Sequence, residues 1–511
     1  MKVAVADVGT SSSHLLIAQT EGENGYRVLD ALKDTTRLGE YLAADGTLTA
    51  EGEDRLASAL TRFRELALGA GAPEVRVYAT SALREAPNGA AVAERMRERT
   101  GIYPTVISGE REGELTYLGV AHSVDLAGDN VLLDLGGGSL EFVRGNEQRP
   151  QKVLSLPLGS IRMTRAFVPD GLGKPAQVKA LRQEVRRQLA PHQQTFQAGP
   201  GTRFILSSGT AEAAAEAIST LRGEGGGING MQFTLTELGD LLNRVTATKP
   251  GARHKLPGLE RRLGTIVAGL TVLHTALDFL GAGLVTVSEG ALREGMLLEE
   301  LSRYSTFASG LSARQRSVLS TAERFRVNPT HAQQVAQLSR DLLAASQQAG
   351  LAFPDEARSL LTAAAVLHES GLIVSQSSHH KHSAYLIRNA GLRGFSPRDI
   401  ELIAQVARYH RKSGPKPSHT EFMALPHADQ KLVSGLAAIL RLADGLDRSH
   451  SGSSVIESLT RQKTGWVLLV GGATPLDVAG LTLKADLWER EFGPLQVKVS
   501  TWAFAPGTEP L

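Results

Sequence analysis

In the first quarter of the chain, short apolar runs alternate with segments whose apolar residues recur at helical spacing. Runs of the first kind are typical of strands and segments of the second kind indicate amphipathic helices. An alternation of strands and helices favours an α/β domain, which we place at residues 1–125. The predicted strands are 1–18 (two strands around a polar turn), 75–82 and 105–110, and the predicted helices are 53–68, 90–101 and 112–124.

A second α/β domain is predicted over residues 126–300, and it opens with VLLDLGGGSLEFV at 131–143. A helix near 176–191, the strand RFILSSGT and the helix AEAAAEAISTLR follow it. The most apolar long stretch, 263–287, contains His274 and Asp278, so it predicts a buried helix followed by a strand rather than a membrane span.

From about residue 301 the pattern changes to long helical segments with little alternation. It predicts an all-α domain over 301–450. The tail alternates apolar and polar residues in WVLLVGG, LTLKADLW and LQVKVS, which predicts a small β-rich domain over 451–511.

The two α/β domains begin with the same sequence pattern. VAVADVGTSSSHLLIA and VLLDLGGGSLEFV share an apolar strand, an Asp, a Gly, a small polar turn and a second apolar strand, which suggests an internal duplication. Glycines let backbone N–H groups approach an anion, whereas an Asp fits beside phosphate only if a divalent cation such as Mg²⁺ lies between them. A β-hairpin with a glycine turn explains either copy alone equally well, but the pair favours phosphate binding.

Composition narrows the class of protein. With 55 Lys and Arg against 53 Asp and Glu, the chain has almost no net charge, so a polyanion site has to be a local patch. The sequence has no cysteine, which excludes disulfides, a thiol nucleophile and cysteine-bound metals. The N-terminus enters a strand at once and leaves no room for a signal peptide. We therefore expect a cytoplasmic protein without a membrane segment.

Residues 379–420 form a local basic stretch, with eight Lys or Arg against Asp399 and Glu401. Such a stretch either binds a polyanion through several cations or is an ordinary solvated face. Nucleic acid is disfavoured as the partner because aromatic stacking residues are scarce here. The candidate contacts to a chain of phosphates are Lys381, Arg408, Arg411 and Lys412.

Several motifs together resemble the exopolyphosphatase / guanosine pentaphosphate phosphohydrolase (Ppx/GppA) family. They are ADVGTSSSHLL, YATSALREAPN, ISGEREGELTYLGV, LLDLGGGSLEF, LSLPLGSIRMT, SSGTAEA and LREGML, with LHESG, HHKHSAYLI, GFSPRDIELIAQVARYHRK and LRLADGLDRSH in the helical half. The resemblance implies duplicated actin-like (RNase H-like) ATPase-superfold domains, followed by an HD-like helical domain and the small β-rich piece.

The resemblance also implies roles for particular residues. Glu112 stands at the position of the catalytic glutamate, and an ionised Glu can take a proton from attacking water. On a helix starting here, Glu110 and Glu114 share one face and Glu112 points elsewhere. Mg²⁺ would be held by Asp134, Glu141 and Glu112, with Asp7 as the matching acid of the first loop. The phosphate-binding residues would be Gly9, Thr10, Ser11, Ser12, Ser13, Arg84, Gly136, Gly137, Gly138 and Ser139.

The helical half carries a second set of polar residues in the order of an HD-type metal phosphohydrolase. These are His331, the dipeptide His368-Glu369 and Asp444, although the HD signature has His-Asp. Two interpretations stay open: a metal site, or buried hydrogen-bonded residues inherited from an HD ancestor.

The function implied is an Mg²⁺-dependent exopolyphosphatase, which releases orthophosphate from the end of inorganic polyphosphate. The alternative is a phosphohydrolase of guanosine 5′-triphosphate 3′-diphosphate (pppGpp). A kinase of the same superfold, with SSGT (207–210) as a weak adenosine site, and a non-catalytic polyphosphate or nucleotide sensor are more distant alternatives. A homodimer is compatible with a long polyanion track.

Overall fold

A computed structural model describes residues 1–21, 25–147, 149–224, 227–260, 262–302 and 311–500. The chain divides into two compact units. The first comprises Met1–Arg314 and Arg393–Pro397, and the second comprises Gln315–Leu392 and the chain from Arg398 onward.

The first half of the first unit is a five-stranded sheet with helices on both faces. Its strand order is β3-β2-β1-β4-β5, with β1 antiparallel to β2 and parallel to β4. The strands are β1 (Lys2–Val8), β2 (Ser13–Glu21), β3 (Gly25–Asp34), β4 (Val75–Ala79) and β5 (Thr105–Val106). The helices are α1 (Ala50–Ala70), α2 (Ser81–Glu85), α3 (Gly89–Thr100) and α4 (Gly109–Ser123), with a 3₁₀ turn at Leu38–Tyr41.

The second half of the first unit contains a six-stranded sheet. Its order is β10-β11-β9-β6-β7-β8. The strands are β6 (Asn130–Leu135), β7 (Leu140–Gly145), β8 (Pro150–Leu156), β9 (Arg203–Ser207), β10 (Gln232–Thr234) and β11 (Leu284–Val287). The helices are α5 (Ser160–Phe167), α6 (Pro175–Leu189), α7 (Gln193–Phe196), α8 (Gly209–Arg222), α9 (Leu235–Ala247), α10 (Ile266–Leu280) and α11 (Leu292–Ser302), with 3₁₀ turns at Ala190–His192 and Pro250–Lys255.

The two sheets share one topology, as the expected duplication requires. Strands β8, β7, β6, β9 and β11 follow one another in the order of β3, β2, β1, β4 and β5, and β10 is an added edge strand. In each sheet the first strand is central and pairs antiparallel with the second and parallel with the fourth. The hairpin turns β1–β2 and β6–β7 are therefore equivalent positions of the two halves.

Both central strands are buried on both faces, which fixes the turns that follow them. Alternate residues of β1 enter different clusters, with Ala6 packed towards α1 and Val5 towards Met296 of α11. In β6, Leu133 belongs to the large core of the second half and Leu132 packs with Tyr117 of α4. Each buried Val or Leu side chain contributes roughly 1.5–3 kcal/mol by leaving water.

Two local predictions in the first half need correction. Arg84 falls in the loop predicted between the strand 75–82 and the helix 90–101, but it lies in the last turn of α2, because the N–H groups of Leu83 and Arg84 both donate to the Thr80 carbonyl. The strand predicted at 105–110 keeps only two residues. Ser108 ends it, since its hydroxyl accepts the Arg111 N–H and starts α4.

The second unit is helical, with a three-stranded sheet near its end. The helices predicted from RDLLAASQQAG, ARSLLTAAAVLHESG, RDIELIAQVARYH and KLVSGLAAILRLADGLDRSH are present. The helices are α12 (Ala313–Arg324, which starts in the first unit), α13 (Pro329–Gln348), α14 (Ala357–Leu367), α15 (His379–Asn389), α16 (Pro397–Arg408), α17 (Thr420–Met423), α18 (His427–Leu446), α19 (Pro475–Lys484) and α20 (Asp486–Phe492), with a 3₁₀ turn at Ser370–Ile373. The strands are β12 (Val455–Gln462), β13 (Gly465–Gly471) and β14 (Leu495–Val499), in the order β12-β13-β14.

The strand predicted at LTLKADLW is wrong, because these residues belong to α19 and α20. Thr474 and Asp477 form a reciprocal capping box, and Pro475 occupies the first turn, so the local signals start a helix. Residues 501–511 of the predicted β-rich piece lie outside the described residues. Among the described helices, none is long and apolar enough to cross a membrane.

Candidate functional site

Two equivalent turns form the centre of the candidate site. In the first turn the Gly9 N–H donates to the Ser12 carbonyl at 3.1 Å, and in the second the Gly136 N–H donates to the Ser139 carbonyl at 3.0 Å. Equivalent hydrogen bonds close both turns, so the two turns are similar in structure as well as in sequence. These two amides are used inside the turns and are not the ones that a phosphate would meet.

In the first turn, the carbonyls are held by the chain that follows β3. The Thr10 carbonyl accepts the Gly39 N–H at 2.9 Å, and the Ser11 carbonyl accepts the Arg37 N–H at 3.0 Å. In a trans peptide the next N–H points opposite to the carbonyl. The amides of Ser11 and Ser12 are therefore turned away from this support.

In the second turn, the N-terminus of α5 has the same role. The N–H groups of Ser160, Ile161 and Gly159 donate to the carbonyls of Gly136, Gly137 and Gly138 at 2.9, 3.0 and 3.2 Å respectively. The N–H groups of Gly137, Gly138 and Ser139 consequently point away from α5. A run of amides with one orientation is a nest suited to an anion.

The two turns face each other closely. A Cβ atom on Gly138 would lie 2.0 Å from the Ser81 Oγ and 3.1 Å from the Thr10 Oγ1, and one on Gly137 would lie 3.3 Å from the Thr10 Cβ. Only glycine fits where side chains of the first half approach the backbone of the second. The Thr10 Oγ1 is buried and has no hydrogen-bond partner within the described residues.

Three acidic side chains gather beside these turns. Asp134 and Glu141 are direct partners across β6 and β7, and Glu112 is a buried residue in the first turn of α4. Glu110 is exposed and Glu114 half-exposed, so the predicted separation of Glu112 from its neighbours is confirmed.

Glu112 is paired with Arg84. The Arg84 Nη1 donates to the Glu112 Oε2 at 2.8 Å and to the Ile107 carbonyl at 3.1 Å. Burial raises the pKa of Glu112, and Asp7 adds to this effect, whereas Arg84 and a hydrogen bond from Thr80 oppose it. A carboxylate held next to one fixed cation is oriented for proton transfer while it stays partly dehydrated.

The other two acids repel each other and Glu112. Burial raises the pKa of Asp134 to about 7, with a further contribution from the charge of Glu112. Burial and the charges of Glu112 and Asp134 raise the pKa of Glu141 well above its usual value, although Ser139 and Ser155 donate hydrogen bonds to it. Raised values in a group of acids indicate a site that lacks positive charge.

The donor set fits a hard divalent cation. The Glu141 Oε2 is buried without a hydrogen-bond partner in the described part of the chain, while its Oε1 accepts the Ser155 hydroxyl at 2.8 Å. Carboxylate oxygens are the protein ligands that Mg²⁺ prefers, and Mg²⁺ keeps several waters. Glu112, Asp134 and Glu141 do not converge within 4.8 Å as some groups of the second unit do, so water would have to complete the contacts.

The remaining predicted residues fall into two groups. Asp7 of β1 lies opposite His14 on β2, whose Nδ1 is 3.3 Å from the Asp7 Oδ2, so the two residues flank the first turn. Ser13 is not brought to the site, because it is fully buried and its hydroxyl bonds to Thr36 at 3.2 Å. Successive strand residues alternate between faces, which separates Ser13 from Ser12.

Part of the basic stretch is neutralised within the second unit. Arg408 bonds to Glu421 at 2.5 Å, and the Arg411 Nη1 lies 2.9 Å from the His379 Nδ1. Lys381 and Lys412 are exposed. Pairing of surface cations leaves fewer of them for a polyanion than the sequence count suggested.

Other residues reach the site without having been predicted. The Arg293 Nε lies 4.0 Å from the Asp7 Oδ1, and hydrogen bonds from Thr116 and Ser207 lower the pKa of Asp134 against the effect of burial. Arg162 of α5 donates to the Gly138 carbonyl at 2.9 Å and forms an ion pair with Glu85. Arg293, Arg162 and Ser207 stand in LREGML, LSLPLGSIRMT and SSGT, so these motifs contained the signal.

The set expected for an HD-type centre comes together in the second unit. The His331 Nε2 is 3.9 Å from the Glu369 Oε2 and 3.8 Å from the Asp444 Oδ1, and the His368 Nε2 is 3.9 Å from the same Asp444 oxygen. Burial opposes ionisation of Asp444, yet Lys484, His368 and His410 lower its pKa. The sequence order therefore predicted a real cluster.

Comparison with known proteins gives matches over both units. A sequence model described as the Ppx/GppA phosphatase family matches residues 16–304, and one described as Ppx/GppA phosphatase, domain III, matches residues 313–482. "Exopolyphosphatase 1" of Mycobacterium tuberculosis is 32% identical over 304 residues, which are 59% of this chain and 88% of that protein. The protein of the same name from Mycobacterium leprae is 31% identical over 324 residues, 63% of this chain and 95% of that protein.

Solved structures similar to this chain have the type of fold seen in the first unit. The crystal structure of an exopolyphosphatase from Cytophaga hutchinsonii has a TM-score of 0.56 at 25% identity, covering 59% of this chain and 98% of that one. That of the Aquifex aeolicus member of the Ppx/GppA family has a TM-score of 0.53 at 25% identity, with coverages of 59% and 98%. The predicted actin-like α/β fold is thereby confirmed, whereas the HD-like assignment stays a prediction. Since the family's sequence model matches more than half of the chain, the protein belongs to the Ppx/GppA phosphatase family and is a phosphohydrolase.

Proposed function

We propose that the protein is an exopolyphosphatase, which removes the terminal phosphate of inorganic polyphosphate with the help of Mg²⁺. The observation that carries the proposal is the buried Glu112–Arg84 pair beside two facing amide-lined turns. The similarity to proteins named exopolyphosphatase supports it as well.

The two turns suit the binding of a linear phosphate chain. Amides of Gly137, Gly138 and Ser139 on one side, and of Ser11 and Ser12 on the other, would donate to phosphate oxygens. Because the backbone supplies these donors, they are fixed before the substrate arrives.

Glu112 would act as the general base. The oxygen of a water molecule forms a bond to the terminal phosphorus, the bond from that phosphorus to the bridging oxygen breaks, and the water proton passes to the Glu112 carboxylate. The products are orthophosphate and a chain one phosphate shorter. Arg84 counters the effect of burial on the pKa of Glu112 and so favours the ionised form of the base.

Asp134 and Glu141 would hold the Mg²⁺, directly or through its waters. The cation supplies charge neutralisation for the phosphate oxygens. Its binding also explains why two buried acids stand opposite each other with one carboxylate oxygen unpartnered. Asp7 and His14 would orient the first turn.

The test is a comparison of two substrates. The purified chain is assayed with Mg²⁺ for orthophosphate release from long-chain polyphosphate and from pppGpp, at equal concentrations of terminal phosphate. We expect faster release from polyphosphate. Faster turnover of pppGpp would refute the choice of substrate, and binding of polyphosphate without any turnover would identify a sensor.

The kinase alternative loses its adenosine candidate. In SSGT the Ser208 hydroxyl accepts the Ala211 N–H and caps α8, and a Cβ on Gly209 would lie 1.8 Å from the Arg262 guanidinium. The segment is used by the fold itself, which leaves hydrolysis as the better explanation of the site.

A further inference from the structure

We propose that the second unit binds a divalent transition-metal ion through the Nε2 atoms of His331 and His368 and the carboxylates of Glu369 and Asp444. Ligand atoms of His331, His368 and Glu369 all lie within 4.8 Å of one another, and both His331 and His368 are buried. The proposal is independent of the substrate assigned to the first unit.

The separations are close to those of a metal site. The His331 Nε2 is 3.8 Å from the Asp444 Oδ1 and 3.9 Å from the Glu369 Oε2. Ligands at roughly 2.0–2.2 Å from a shared ion lie about 3–3.5 Å from one another. Each of these two separations would therefore shorten by less than about 1 Å.

Both imidazoles are oriented as metal ligands are. The His368 Nδ1 lies 2.7 Å from the Ala365 carbonyl, which can only accept, so Nδ1 carries the proton and Nε2 presents a lone pair. The His331 Nδ1 lies 2.7 Å from the Asp447 Oδ2, and the other oxygen of Asp447 accepts the Gly452 N–H. Metal-bound histidines almost always donate their second nitrogen to a carbonyl or carboxylate in this way.

A neighbouring histidine has the Nε2 hydrogen-bond partner that His368 does not have. His410 is anchored like His368, through Nδ1 to the Ala407 carbonyl at 2.7 Å, but its Nε2 has the His379 Nε2 at 3.2 Å as a hydrogen-bond partner. The His368 Nε2 has no hydrogen-bond partner among the described residues although the side chain is fully buried. A buried acceptor without a donor costs free energy, and an ion would remove that cost.

The charges favour a divalent ion. Lys484 binds one oxygen of Asp444, which leaves Oδ1 facing the two histidines. Two neutral imidazoles and two carboxylates suit Mn²⁺, Fe²⁺, Co²⁺ or Zn²⁺ better than Mg²⁺, which prefers oxygen ligands alone. A second group, His331 with Asp447 and His450, would use the nitrogen that already bonds to Asp447, so it is the weaker choice.

The experiment measures Co²⁺ bound to the full chain. Chelator-treated protein is equilibrated with Co²⁺ in excess Mg²⁺, so that Mg²⁺ fills the oxygen-only site of the first unit, and bound cobalt is counted by mass spectrometry. We expect about one Co²⁺ per chain in the wild type and in Glu141→Gln, with visible absorption that indicates nitrogen ligands.

Variants locate the ion. His368→Asn and Glu369→Gln should each lose most of the bound cobalt, while His427→Asn, an exposed histidine of the same unit, should keep it. Glu369→Gln decides the matter if His368→Asn does not fold, because Glu369 is partly exposed. The proposal is overturned if the wild type binds no Co²⁺ under these conditions, or if the Glu369 variant binds as much as the wild type.

Discussion

The two hairpin turns of the first unit are copies with one decisive difference. Both begin with an Asp, both are closed by the same backbone hydrogen bond, and both place a residue of the next strand opposite that Asp. In the first copy the opposite residue is His14, and in the second it is Glu141.

Because of this difference, the two Asp residues have opposite electrostatic surroundings. In the first copy, the Asp7 carboxylate faces nitrogen-bearing side chains, with the His14 imidazole at 3.3 Å and the Arg293 guanidinium at 4.0 Å. In the second, Asp134 faces another acid, and burial raises the pKa of both. In the proposed site, the first copy would therefore bind the anion and the second a cation that accompanies it.

The largest effect is expected at Glu112, which lies beside the second copy and is held by Arg84 of the first half. Glu112→Gln keeps the size of the side chain but cannot accept the proton, so kcat should fall by about 10²–10⁴-fold with little change in KM. Steady-state phosphate release measures this, and the exposed Glu110→Gln is the matched control. A variant that retained a tenth of the activity would exclude Glu112 as the base.

The next prediction compares substitutions of the two residues that distinguish the copies. Glu141→Gln should weaken Mg²⁺ and lower activity at limiting Mg²⁺ by roughly 10–100-fold, with partial recovery in excess. His14→Asn, at the same register position of the first copy, should change the rate by less and leave the Mg²⁺ dependence as it is. Mg²⁺ titrations of both variants test this, and an equal shift in the two would contradict the division of tasks.

The third prediction concerns the close approach of the copies. Gly138→Ala places a methyl group against Ser81 and Thr10, so one turn has to move and KM should rise by about tenfold. Gly69→Ala in α1 is the control, since nothing lies within 4 Å of its Cβ, and it should behave like the wild type. Unchanged kinetics in the Gly138 variant would mean that the cleft opens more widely than the structure shows.

Local features of this arrangement could be predicted from sequence, and long-range ones could not. The turns were found because strand, Asp, glycine and serine follow each other within a few residues, and the face of Glu112 followed from helical spacing alone. The Arg84–Glu112 pair joins α2 to α4, and no local pattern encodes it. Arg293 reaches Asp7 from the other end of the first unit for the same reason.

Errors arose where two signals competed. LTLKADLW alternates like a strand, but the capping box before it and the apolar face packed on α18 make it helical. Polyanion binding by the basic stretch stays a prediction, but the sequence count of its charges left out their partners, since Arg408 and Arg388 are bound to Glu421 and Glu401. Spacing within a segment predicts faces of helices and strands, whereas pairing between segments needs the fold.

The smallest predicted effect is that of Asp134→Asn on the thermal stability of the protein, and it tests most directly whether the second copy is a cation site. Asp134→Asn imitates the protonated acid, so it removes the repulsion from Glu112 and Glu212 that together with burial raises the pKa of Asp134 to about 7. The folded state binds the proton more tightly than the unfolded one. The stability that Asp134 provides is therefore fully present below about pH 4 and is lost as the pH rises to about 7.

In chelator, Asp134→Asn should accordingly melt above the wild type at pH 8, by about 1–2 °C for each kcal/mol of repulsion removed, and the difference should vanish below pH 4. Saturating Mg²⁺ should reverse the order, because the ion stabilises only the chain that binds it. Thermal unfolding with and without Mg²⁺ measures both effects. If the wild type were the more stable protein in chelator at pH 8, the second copy would not be a cation site, and the contrast with the Asp7–His14 pair of the first copy would lose its physical basis.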